Sequence, residues 1–219
     1  KALDTYRGPE LARERAVLTQ HTQMSYDFPV EAVVMMGRYP HFQYHPDKND
    51  RAIAQAAMRH TAIAHLAQRY YLTLSGGERQ RVQMARVLAQ VWPEEHRHQP
   101  KLLLLDEPLN NLDIRYQHEI MEIVREFVQH GHVAIAVLHD LNLASMYADQ
   151  LLLLHEGRKM GAGAPEEMLE ASLLEQCYEF PVSVQSHPFR PCPYVFFGRS
   201  QDQHATKRNQ YQSTIRMNT

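Results

Sequence analysis

The chain has 219 residues, of which 44% are hydrophobic and 22% charged, and its net charge is −2. That is globular composition with enough length for a sizeable core, and it lacks the electrostatic footprint of a nucleic-acid binder. Two cysteines, Cys177 and Cys192, make no disulfide framework and fit a reducing compartment; no apolar run approaches the length of a membrane span, and no signal peptide is visible. The first residue is Lys1 rather than Met, which suggests a fragment.

In chain order, Pro9 opens a short helix over Glu10 to Glu14, and Ala16 to Leu18 forms a short buried strand ending in the polar cluster Gln20 to Gln23. Tyr26 to Pro29 is a turn. Val30 to Met36 reads as a helix stopped by Gly37 at its C-cap, Asp50 to His60 as a strong helix, and Thr61 to Gln68 as another. These give an all-helical lobe over residues 25–72. Leu74-Ser75-Gly76-Gly77-Glu78 then feeds a helix with Val82, Ala85, Leu88 and Ala89 on one face; Ser75 and Glu78 have capping-box spacing. Two bare glycines at a helix start, where amides are unpaired and the dipole is positive, favour an anion such as phosphate.

Trp92 to Pro100 is a polar, proline-bounded connection whose His and Glu side chains lack paired metal-ligand spacing. Lys101 to Leu105 has the pattern of a fully buried parallel strand and ends in Asp106-Glu107-Pro108. A turn at Asn110 to Asp113 leads to a long helix, Ile114 to Gln129, closed by Gly131. Val133 to Leu138 is a second buried strand, ending at His139, and Leu143 to Ala148 a short helix. Leu151 to Leu154 forms a hairpin through His155 to Arg158, Pro165 starts a further helix, and Val182 to Phe197 has strand patches broken by prolines. Residues 198–219 read as a polar, disordered tail.

Strands alternating with helices imply right-handed βαβ units and a parallel sheet, whose ligands bind at the carboxyl ends of the strands. Asp106, Glu107 and His139 all fall at such ends. An Asp there can hold Mg²⁺ against nucleotide phosphates, usually through water, and the adjacent Glu can orient or deprotonate an attacking water. His139 can donate to a γ-phosphate, and the Gln20 amide can serve Mg²⁺ or that water.

Gln20, Leu74 to Glu78, Leu102 to Pro108, Leu112-Asp113 and His139, in that order, resemble the Q-loop, signature, Walker B, D-loop and switch histidine of the nucleotide-binding subunit of ABC transporters. The resemblance runs from about residue 1 to residue 197. It implies an α/β fold of the P-loop NTPase type: a parallel-sheet core over residues 1–24 and 73–197, truncated at its N-terminus, with an inserted all-helical lobe. It also implies an ATPase with Glu107, His139 and Gln20 as catalytic residues. Ser75, Gly76, Gly77, Glu78 and Asp113 would bind ATP, and Asp106 and Gln20 would hold Mg²⁺. Two copies would sandwich two ATPs, Ser75, Gly76 and Gly77 of one binding the γ-phosphate held by the other. A membrane permease would contact the lobe near Gln20 through Met24, Tyr26, Phe28, Met35, Met36, Tyr39, Phe42 and Tyr44. A periplasmic binding protein would act indirectly, and the subunit would sit on the cytoplasmic face of the bacterial inner membrane. Met36 to His41, Asp106 to Ile114, the Trp92 to Pro100 connection and the ending His187-Pro188 with Tyr194 to Phe197 look most like the haemin-importer ATPases of the iron-siderophore, haem and cobalamin importer group.

No Gly-x-x-x-x-Gly-Lys-Ser/Thr stretch occurs, and 19 residues precede Gln20, where the family places its P-loop well upstream. A record that starts partway into the domain accounts for this, since Asp106, Glu107 and His139 are intact; a degenerate ATPase is the rival, and the chain as given is expected to be inactive alone. A DNA-repair or chromosome-organising ATPase would need long heptad arms, which the segment from Gln20 to Ser75 lacks. A non-catalytic binding module, or an importer of iron-siderophore or cobalamin, remains the alternative.

Overall fold

The computed structural model describes residues 6–20, 24, 26–92 and 99–198. The polar cluster just after Gln20, most of the connection from Trp92 to Pro100, and the tail beyond Gly198 lie outside the described residues. The chain falls into two compact units, Lys1–His139 and Asp140–Thr219.

In the first unit, helix α1 (Gly8–Glu14) has its proline in the first turn, where the missing N–H costs nothing, and runs straight into strand β1 (Arg15–Leu18). Strands β2 (Leu102–Asp106) and β3 (Val133–Val137) complete a parallel sheet of order β1-β2-β3, with Leu18 beside Leu105 and Asp106 beside Val137. Helix α5 (Ile114–Gln129) is the crossover between β2 and β3. It buries Ile120, Met121, Val124 and Phe127 and ends at Gly131, whose φ of +86° is the left-handed conformation glycine adopts freely.

The sheet is not buried on both faces, as the apolar runs suggested. Leu103 and Leu105 are buried, Leu102 and Leu104 only half so, and Val133, Ile135 and Val137 are 49%, 58% and 52% exposed. A run of leucines is equally compatible with one covered face or two. Lys101 is also not part of β2: it is buried, donating to the Arg13 carbonyl at 2.8 Å with Glu14 at 3.4 Å.

Helix α2 (Val30–Met35) and helix α3 (Lys48–His60) pack on helix α4 (Gly76–Gln90). Asp47 caps α3 through a reciprocal capping box with Asp50. Gly37 does not cap α2. It begins no left-handed turn and lies inside a 3-10 segment, Met36–His41, where a side-chain carbon would fall 2.1 Å from the Arg86 carbonyl oxygen of α4. Glycine is required there by close approach, not by turning. Beside it Arg38, 2% exposed, donates to Asp50 at 3.0 Å and to the Ala89 carbonyl at 2.8 Å, tying the 3-10 segment to α3 and α4 at once. The second helix expected over Thr61 to Gln68 is reduced to one 3-10 turn, Ala64–Leu66. Ala62 stands at φ +54°, which breaks the helical path, and the Thr61 hydroxyl bonds back to the Ala57 carbonyl.

In the second unit, Asp140 caps helix α6 (Leu141–Tyr147) by accepting from the amides of Asn142 and Leu143. Strands β4 (Leu151–His155) and β5 (Arg158–Gly163) form the expected hairpin; Glu156 and Gly157 both take positive φ, the geometry that matches strand twist. Pro165 starts a helix of only four residues, α7 (Pro165–Met168), followed by α8 (Ala171–Tyr178). Strands β6 (Val182–Ser186) and β7 (Pro193–Phe197) close an antiparallel ribbon around the turn that holds Pro188 and Pro191. Leu169, Leu174, Val182 and Val195 form the core, each worth about 1.5–3 kcal/mol when fully buried. Asn142 completes the outer edge of β7, donating to the Val195 carbonyl at 3.0 Å and accepting from its amide at 2.7 Å.

Candidate active site

Two clusters in the first unit collect most of the residues singled out from the sequence. The first sits at the carboxyl end of the parallel sheet. Glu107 directly follows β2 at φ +49°, a left-handed conformation that costs a non-glycine residue of order 1 kcal/mol and persists only where the surroundings impose it. Its carboxylate collects three donors. His139, just past β3, gives Nε2 to Oε1 at 2.8 Å; Gln20, just past β1, gives Nε2 to Oε2 at 2.5 Å; and the Asn110 amide also donates to Oε2. The parallel register produces this meeting, because all three strands end at the same edge.

Those donors stabilise the charged form. The hydrogen bond from His139, helped by those from Asn110 and Gln20 and opposed by partial burial, holds the Glu107 carboxyl below its ordinary value of 4.5. Glu107 is therefore an ionised acceptor at neutral pH, the state a general base requires. Its own side chain is only 16% exposed, whereas the ring of His139 is 72% exposed. Asp106, the last residue of β2, is exposed beside it.

The second cluster is the start of α4. Ser75 accepts from the Glu78 amide at 3.3 Å, while Glu78 Oε2 accepts from the Ser75 amide at 2.8 Å and from its hydroxyl at 2.9 Å. These bonds, the backbone one foremost, lower the Glu78 carboxyl below 4.5, with Arg69 and Arg81 adding charge attraction. Gly76 and Gly77 face the turn that follows Glu107. A side-chain carbon on Gly77 would lie 3.1 Å from the Asn111 carbonyl oxygen, and one on Gly76 would lie 3.7 Å from the Asn111 side chain. The two clusters thus flank one connecting turn, in which Asn111 also has positive φ.

Asp113 instead caps α5, accepting from the Tyr116 amide at 3.1 Å. Sequence reasoning did not assign a role to Asn110, although its place three residues after Glu107 is the spacing of a closed turn, with its amide 3.4 Å from the Glu107 carbonyl. It also missed Gln80, which donates to the Pro108 carbonyl at 3.1 Å, and Arg81, whose guanidinium lies 3.9 Å from the centre of the Tyr116 ring. Both contacts span long stretches of chain, and no local pattern announces them.

For a cation, Asp106 is the natural carboxylate, and Gln20 retains an amide oxygen once its nitrogen serves Glu107. One or two protein ligands suit Mg²⁺, which keeps most of its waters. Among the described residues no group of three or more His, Cys, Asp or Glu forms a cage that would hold a metal by protein ligands alone. Farther along the unit, Tyr26, Tyr39 and Tyr44 are 74%, 59% and 86% exposed, with Tyr39 edge-on to Phe42 at 5.7 Å. Met24, Met35, Met36 and Phe42, from the same expected set, are half-buried.

Comparison with known proteins adds three findings. The family profile described as "ABC transporter" matches residues 1–110. Hemin import ATP-binding proteins of Gloeobacter violaceus and of Pseudomonas putida are each 45% identical to the chain over 195 residues, which is 89% of this chain and 70% and 74% of theirs. Among solved structures, one described as an inward-facing metal-chelate type ABC transporter aligns with a TM-score of 0.72 at 24% identity, over 85% of this chain and 73% of that one; at that identity it supports the fold. The cbiO1 structure from Clostridium perfringens, part of the ABC transporter complex cbiONQ, aligns with a TM-score of 0.59 at 27% identity, over 75% of this chain and 62% of that one.

Proposed function

Because the chain belongs to the ABC transporter family, whose ATP-binding subunits hydrolyse ATP to drive transport, we propose that it powers an importer of haem or a related iron chelate. The observation that carries the catalytic part is the carboxylate of Glu107, held ionised at a strand end by His139, Asn110 and Gln20. In this reading Glu107 takes a proton from the water that attacks the γ-phosphate. His139 and Gln20 orient that carboxylate and, as phosphate arrives, donate to it in turn. Asp106 and the oxygen of Gln20 would hold Mg²⁺, which would supply neutralisation of phosphate charge.

The start of α4 serves a second copy of the chain. Gly76 and Gly77, with the Ser75 hydroxyl beside them, present the positive helix end to the γ-phosphate of ATP bound by that copy. Glu78 keeps the Ser75 end wound, and Asp113 fixes the start of α5 at the same junction. Residues 25–72 act as the lobe that meets the permease, with Tyr26, Tyr39 and Tyr44 as its exposed aromatic surface. No described helix is long and apolar enough to cross a membrane, which suits a subunit held peripherally on the cytoplasmic face of the inner membrane by the permease. A periplasmic binding protein delivers the cargo and reaches this chain only through the permease; nucleic acid has no part.

Haem is the cargo that the names of the relatives favour. The full-length protein, reconstituted with its permease and binding protein in vesicles, is expected to raise its ATP turnover when haem-loaded binding protein is added. Stimulation by a ferric siderophore or cobalamin in place of haem would reassign the cargo. Tyr26→Glu is expected to leave soluble ATP turnover intact while transport falls; normal transport by that variant would move the permease contact elsewhere.

A further inference from the structure

Glu107 owes its place to a turn that has little of its own to hold it. The residue sits at φ +49°, the turn is closed by a long 3.4 Å bond from the Asn110 amide to the Glu107 carbonyl, and the next residue, Pro108, has no N–H to give. Pro108 is buried, and its carbonyl is the group by which the turn can be gripped from outside. The Gln80 amide of α4 grips it, at 3.1 Å across 28 positions of sequence. The same flank of α4 braces the chain farther along: Gly77 packs on the Asn111 carbonyl, and Arg81 stacks on Tyr116, with one guanidinium nitrogen 3.4 Å from the carbonyl of Ala62.

We propose that Gln80 is a positioning residue for ATP hydrolysis: its side-chain amide holds the Pro108–Leu109 peptide, the next link of the turn, so that the Glu107 carboxylate stays aimed at the attacking water. This rests on the reading of Glu107 as the base. Without the amide, a buried carbonyl loses its partner and the left-handed turn loses the contact that imposes it. The Gln80 amide is spent on the Pro108 carbonyl, so its loss is expected to act on turnover and not on nucleotide affinity.

The test uses the full-length protein with its permease. Gln80→Met, close in shape but without a donor, is expected to lower kcat about tenfold with KM for ATP within about twofold. Gln80→Lys, which restores a donor at similar reach, is expected to recover most of that loss. Combined with Glu107→Gln, Gln80→Met is expected to cost nothing further, because the group it positions is already disabled. A Gln80→Met enzyme at parental kcat, a rise confined to KM, or losses that multiply in the double variant each overturns the proposal. Glu107→Gln turning over at the parental rate overturns the base assignment itself, and the two failures are told apart by that single variant. Should Gln80→Met fail to fold, Gln80→Lys against Gln80→Glu decides, since only the first carries a donor; equal kcat in those two overturns the proposal.

Discussion

The two clusters of the candidate site differ in how they are made. The start of α4 is built by four consecutive residues, Ser75 to Glu78, which satisfy one another within a single helical turn. The Glu107 cluster draws on residues 20, 107, 110 and 139, brought together because three parallel strands end in register. A locally closed unit keeps its geometry wherever the helix exists. The assembled one keeps its geometry only while the sheet and the turn beside it are both intact, so a change in its surroundings should act on chemistry before it acts on folding.

The largest expected effect removes the charge at the centre of the assembled cluster. Glu107→Gln in the full-length protein keeps the shape but loses the base, and its ATP turnover is expected to fall about 10²–10⁴-fold. Size-exclusion chromatography in ATP and Mg²⁺ is expected to show it accumulating as a closed dimer; a monomer there would contradict the ATP sandwich.

Next comes the buried support shared by α3 and α4. Asp50→Ala leaves Arg38 charged at 2% exposure, without its carboxylate partner and with the Ala89 carbonyl still accepting from it. The loss is expected to be about 3–5 kcal/mol, read from denaturant midpoints. A loss below about 1 kcal/mol would mean that water reaches the arginine.

Smaller is the effect on the local cluster. Ser75→Ala removes the cap hydroxyl and is expected to cost about 1 kcal/mol of stability, with the fold intact. The smallest prediction concerns pH. The Glu78 carboxyl is lowered in the folded protein, so the stability it adds is full above its ordinary value of 4.5 and fades as pH falls through the lowered value. The stability gap between the parent and Glu78→Gln, measured by thermal unfolding, is therefore expected at pH 7 and should shrink below pH 4.5. A gap that widens in acid would reverse that sign and separate Glu78 from the helix cap.

The same division explains what the sequence could tell. The Ser75–Glu78 box, the hairpin at Glu156-Gly157 and the strand ends at Asp106 and His139 are written in neighbouring residues, and their pattern was readable. A glycine after a helix has two meanings, a left-handed turn or room for a neighbour, and at Gly37 only the Arg86 carbonyl of α4, 2.1 Å from where a side-chain carbon would sit, distinguishes them. The Thr61 to Gln68 stretch has helical periodicity, yet it yields to a positive φ at Ala62 whose carbonyl meets Arg81 of another element. The leucines of β2 state that something covers them without stating how many faces are covered. Gln20 and His139 are legible one by one as site residues, but that they share one carboxylate follows from the strand register, and that Asn110 joins them follows from the turn.

The pairing of β1 with β2 also sets a schedule for synthesis. Arg15 finds its partner at Leu102. At about 5–20 residues per second, a ribosome takes on the order of 10 s to make the intervening chain. During that interval Ala16 and Leu18, both buried in the finished sheet, wait for β2. The helices made meanwhile, α2, α3 and α4, can collapse early, and α4 also packs on β1. A nascent helical layer can thus shelter the strand that leads to Gln20 before β2 is made, and substitutions that loosen α4 should show themselves in yield at the ribosome as well as in the finished molecule.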